Sequence, residues 1–95
     1  MGGELELYRE RQILDGKMRV VVVCIAPEDE SLLDMDALNR TLGAAWRAGA
    51  TVALRHRLEK VATDCGLELI WLDRVKAGNV LGRELTVSFR RISRL

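Results

Sequence analysis

From Arg19 to Ile25 the chain is nearly all β-branched and apolar on both faces, whereas from Leu5 to Ile13 a few apolar residues stand among mostly polar ones. The mostly polar run reads as a mostly solvated edge strand, and a run apolar on both faces reads as an interior strand. In the first, Leu5, Leu7, Arg9, Arg11 and Ile13 share one face, and Glu4, Glu6, Tyr8, Glu10 and Gln12 the other. Leu14-Asp15-Gly16-Lys17 lies between the two runs. Asp-Gly there predicts a type I′ hairpin, because both central residues tolerate positive φ. Pro27 ends the second strand. Further on, Leu67 to Leu72 is again apolar on both faces. Arg83 to Ile92 alternates, with Leu85, Val87 and Phe89 inward and Glu84, Thr86, Ser88 and Arg90 outward. Lys76-Ala77-Gly78-Asn79 predicts the turn between these last two strands.

The middle of the chain changes period. Met35, Leu38, Leu42, Ala45 and Trp46 recur every three to four residues, which predicts a helix over 36–47 with that stripe buried. Ser31 starts a loose capping box for it, Asp36 and Arg40 stand at pairing distance along its wet side, and Gly49 is its stop. Leu54, Leu58, Val61 and Cys65 predict a second helix over about 52–65, capped by Thr51 and ended by Gly66. Val52 and Leu54 also alternate, so a short strand over 50–54 is the competing reading.

The order is therefore ββ-αα-ββ, a small single α+β domain with a mixed or antiparallel sheet packed with two helices. Residues 1–3 and 93–95 are expected to lie outside the folded body. Two strands are apolar on both faces, yet only two helices are available to cover them. Either one helix lies on each side of the sheet, or both share one side and the other side meets a second copy. Leaving an apolar face wet forfeits about 25 cal/mol per Å², so a homodimer is expected.

Composition narrows the class. Ninety-five residues with 48% hydrophobic and 31% charged content fit one folded domain rather than a disordered tail. Val20 to Ala26 is far too short to span a bilayer and no signal-peptide pattern opens the chain, so a cytoplasmic protein without membrane contact is expected. Cys24 and Cys65 both sit in apolar contexts, which predicts two reduced thiols. The formal charge of +1 conceals a division. Residues 1–36 carry nine carboxylates against four cations, and residues 37–95 carry eleven cations against five carboxylates. Such segregation selects a charged partner unless the two halves meet in the fold.

Candidate chemistry is sparse. Glu28, Asp29, Glu30, Asp34 and Asp36 lack the alternation and central glycine of a calcium loop, and serve better as helix-start carboxylates. His56 has neither an orienting carboxylate nor a nucleophile motif beside it. The scattered glycines form no phosphate loop. No catalytic residue, metal or cofactor is therefore expected. Ala45-Trp46-Arg47-Ala48-Gly49, followed by the basic stretch Thr51 to Val61, is similar over about twenty residues to the DNA-reading helix-turn-helix motif. That resemblance implies a second helix entering a major groove.

These features predict a non-catalytic binding or regulatory module that self-associates through an apolar sheet face or through helix 36–47. Its candidate interface residues are Ala37, Thr41, Ala44, Ala48, Leu69 and Trp71. A protein partner other than a second copy uses the same surfaces. The alternative is a nucleic-acid binder that meets phosphates with Arg83, Arg90, Arg91 and Arg94 of the last hairpin and tail, joined by Arg55, Arg57 and Lys60 of the second helix.

Overall fold

The computed structural model of the chain describes residues 3–75 and 81–92. The predicted 76–79 turn, residues 1–2 and 93–95 of the predicted ends, and Arg94 lie outside the described residues. Four strands, β1 (Leu5–Leu14), β2 (Lys17–Ile25), β3 (Leu67–Val75) and β4 (Leu81–Arg91), form one mixed sheet in the order β1-β2-β4-β3. β1 and β2 pair antiparallel, as do β3 and β4, while β2 and β4 run parallel at the centre. The β1–β2 turn has φ of 53° at Asp15 and 76° at Gly16, the doubly left-handed geometry that Asp-Gly favours.

Between β2 and β3 the chain makes a 3-10 turn over Pro27–Leu32, then α1 (Met35–Thr41), a π-helical turn over Leu42–Trp46, and α2 (Thr51–Asp64). The strand alternative for 50–54 gives way to helix, because Leu54 is fully buried with Leu58, Val61 and Ala62 on one helical stripe. Ser31 does not start α1. Asp34 does, its carboxylate accepting the Ala37 N–H at 3.0 Å. Thr51 is likewise not the cap of α2. Ala50 holds that position and caps with no side chain. Gly49 and Gly66 both take φ of 74°, closing the two helical segments as predicted.

All helical segments pack on one face of the sheet. Val21, Val23 and Ile25 of β2 and Leu85, Val87 and Phe89 of β4 are fully buried beneath Leu38, Leu42, Trp46, Leu54 and Leu58. Each such side chain contributes roughly 1.5–3 kcal/mol on burial. Leu67, Leu69 and Trp71 of β3 share this face by register.

β1 departs from simple alternation. The register slips between Glu6 and Tyr8, so Leu7 is a bulge and both Leu7 and Tyr8 pack against the core. Beyond the bulge, Tyr8, Glu10 and Gln12 turn toward the helices and Arg9, Arg11 and Ile13 turn away, paired with Val22, Val20 and Met18. The polar row expected to be solvated therefore meets the helical layer. It has work there: a helix end leaves carbonyls without donors. The Gln12 amide donates to the Trp46 and Arg47 carbonyls at 3.1 and 3.0 Å, and Glu10 holds Arg47 at 3.5 Å while accepting the Tyr8 hydroxyl.

Candidate functional site

The sheet face opposite the helices is the first candidate. No helix covers it among the described residues. Parity and register set out its rows: Arg11, Val20, Glu84 and Arg74; then Arg9, Val22, Thr86 and Leu72; then Glu6, Cys24, Ser88 and Ile70. Met18 and Ile13 pair at one end. Its centre is apolar, with Val20, Val22 and Cys24 half-buried among their neighbours and Ile70 and Leu72 exposed at 36% and 45%. Arginines and glutamates ring that centre. The Arg9 guanidinium donates to Glu6 at 2.7 Å and holds its carboxyl below the usual range. Burial pushes the Cys24 thiol up, and the Glu4 and Glu6 carboxylates add to it. Ser88 donates to Glu4 at 3.1 Å.

The second candidate lies on the helix side, where β2 begins. Arg19 shares the parity of Val21, Val23 and Ile25 and is only 6% exposed. Its guanidinium stacks over Trp46 at 4.5 Å and donates to Gln12 Oε1 at 2.8 Å and Thr51 Oγ1 at 2.7 Å. Burial and then the neighbouring Arg83 charge push its pKa down, against a weaker opposing pull from Asp73. The fully buried Trp46 beneath it keeps its indole N–H without an acceptor. Sequence reasoning absorbed Arg19 into an apolar strand. Its signal was an arginine at a core-parity position.

The proposed interface residues divide. Leu69 and Trp71 belong to the helix-covered face, so Ile70 and Leu72 are the β3 residues that reach the open one. Ala37 and Thr41 line the groove between α1 and α2, together with Arg40, Arg57 and Lys60, while Ala44 and Ala48 are exposed beyond it.

The proposed phosphate-binding cations divide among surfaces: Arg55 and Arg83 line one hollow and Arg57 and Lys60 one groove. Arg90 and Arg91 are adjacent in a strand and point to opposite faces. Arg91 meets Asp29 at 2.6 Å and Arg83 meets Asp73 at 3.2 Å. Arg55 stacks 5.5 Å from Trp71, on the side of α2 that faces β3. Lys60 pairs with Asp64 at 3.1 Å, as its helical spacing implies. His56 is exposed and lines a hollow with Arg55, Trp71, Asp73 and Arg83.

The charge division along the chain is also partly resolved here. The acidic turn and the basic end of β4 meet through Asp29 and Arg91 within one chain. No helix among the described residues is long and apolar enough to cross a membrane. Comparison with protein-family models, with curated proteins and with solved structures finds no match to this chain.

Proposed function

We propose that the protein is a non-catalytic binding module whose uncovered sheet face docks on a second copy of itself. The observation that carries this reading is the one-sided placement of both helices over a β2 strand apolar on both faces. Size supports it. Strands of nine to eleven residues, rising ~3.3 Å per residue at ~4.8 Å spacing, make a face of roughly 19 by 30 Å, on the order of 600 Å². Two such faces buried whole would remove about 1,200 Å² from water, the lower end of the range of specific interfaces. Charge favours a copy over a polyanion, because Glu6, Glu68 and Glu84 are interspersed with Arg9, Arg11, Arg74 and Arg90 on this face. Two such faces are self-complementary when related by a two-fold axis between them.

The test is a pair of charge insertions read by size-exclusion chromatography and far-UV circular dichroism. Val22→Glu places a carboxylate beside Arg9 at the centre of the face, where a monomer accommodates it. A dimer would have to desolvate it twice, so the variant should fold and elute as a monomer. Ala44→Glu, on the exposed helical surface, should leave association intact. Dissociation by Ala44→Glu alone would move the interface to the helix over 36–47. Association that appears only with added nucleic acid and fades with salt would favour the polyanion reading.

A further inference from the structure

The cavity where β2 begins has a different character from the open sheet face and lies on the other side of the sheet. It is an open pocket of about 290 Å³ lined by Lys17, Arg19 and Arg83, with Asp15 the one carboxylate on its wall among the described residues. Arg19 is the unusual member. A guanidinium has five N–H donors, and the acceptors that meet this one are two neutral oxygens, of Gln12 and Thr51. No carboxylate among the described residues is within ion-pair distance of it. Asp73, the nearby acid, is held by Arg83. Burying such a charge without a counter-ion costs several kcal/mol, and Arg83 raises that cost by repulsion.

The surroundings are built to keep the cations close. Gly49 lets the turn close on Leu14: a Cβ there would lie 3.2 Å from the Leu14 side chain, with Arg19 Nη1 at ordinary contact distance, 3.6 Å. Gly82 gives Lys17 room, its stem lying 3.0–3.5 Å from the position a Cβ would occupy. α2 starts at the wall with Thr51, and no side chain caps it. Thr51 and Arg83 also line an adjoining hollow of about 420 Å³ that contains Val52, His56 and Trp71.

We propose that this cavity is a binding site for a phosphate group, in which Arg19 supplies the buried cation and Lys17 and Arg83 close over the oxyanion from either side. Lys17, Arg19 and Arg83 outnumber Asp15 on the wall even with Arg83 shared by Asp73, so the pocket favours an anion, and guanidinium groups match phosphate oxygens in bidentate geometry. The adjoining hollow has room for the organic part of a phosphate ester.

Thermal unfolding and tryptophan emission of the whole chain, followed during titration at constant ionic strength, test the proposal. The probes are inorganic phosphate and phenyl phosphate, with chloride as the reference. Both readouts should change saturably with phosphate beyond the chloride baseline, since Arg19 stacks on Trp46. Lys17→Gln and Arg83→Gln alter partly exposed positions and should fold, and each should weaken binding by about tenfold or more. Lys60→Gln, remote from the cavity, should bind as the parent does. Tighter binding of phenyl phosphate assigns the site to an ester, and equal binding assigns it to free phosphate. Absence of a phosphate effect beyond chloride, or an effect that either cavity variant leaves intact, overturns the proposal.

Discussion

Asp29 and Arg91 join the acidic and basic halves of the chain, and the strength of that contact can be worked from its geometry. Asp29 is 6% exposed in the 3-10 turn after β2, whereas the Arg91 side chain at the end of β4 is 66% exposed. Two unit charges about 4 Å apart attract by about 4 kcal/mol at an effective dielectric constant of about 20. Ordering the Arg91 side chain and desolvating Asp29 both subtract from this. Fully exposed pairs retain about 0.2–1 kcal/mol, and breaking a fully buried pair costs about 3–5 kcal/mol. A pair with one member buried belongs between these limits, so the expected coupling is about 1–2 kcal/mol.

The assay is a double-mutant cycle of Asp29→Asn and Arg91→Gln by urea unfolding, repeated in high salt. Arg91→Gln should be the more damaging single change, because it leaves the buried carboxylate without its cation. The double variant should recover the coupling energy. At 1 M salt, where the screening length is about 3 Å, a directly hydrogen-bonded pair should keep at least half of it. Additive single effects, or a coupling that disappears in salt, would refute the view that this contact ties β4 to the turn.

Two further outcomes follow from backbone and thiol. Gly49→Ala and Gly66→Ala impose the same left-handed strain of about 1–2 kcal/mol, but a Cβ at 49 presses on Leu14 at 3.2 Å whereas one at 66 meets nothing within 4 Å. Urea unfolding should therefore find Gly49→Ala the more destabilised, and equal losses would contradict the packing of Leu14 and Arg19 against that turn. The Cys24 thiol is raised by burial and the nearby carboxylates, so the folded state favours its protonated form. The stability it contributes is complete below the unfolded thiol's pKa and is lost as pH rises through the folded value. A Cys65→Ser protein should show alkylation of Cys24 with a midpoint above that of a free cysteine. A midpoint at or below the free value would count against this placement of Glu4, Glu6 and Cys24.

Much of this architecture was legible because periodicity reports burial directly. The β1–β2 hairpin, both helical stripes and the inward row Leu85, Val87 and Phe89 all follow from spacing. Face counting on β2 reduced the arrangement to two choices, and packing selected the one with both helices on one side. The errors came from places where a local rule met a longer-range partner. Leu7 carries no sign of its bulge, because leucine fits an inward or an outward position equally well. Thr51 resembles a helix cap, yet its hydroxyl accepts from Arg19, 32 residues earlier in the chain. Gln12 reads as solvated until the carbonyls of Trp46 and Arg47 arrive beside it. The face of Leu69 and Trp71 depended on the β3–β4 register, which strand composition alone leaves open.

The central claim is that the uncovered sheet face is buried against a second copy. Sedimentation equilibrium of the unmodified chain, from low micromolar to high micromolar concentration and in low and high salt, tests it most directly. The account predicts a reversible shift toward twice the chain mass of 10.7 kDa as concentration rises, with little dependence on salt because the centre of the face is apolar. A single species of 10.7 kDa at every concentration would contradict it.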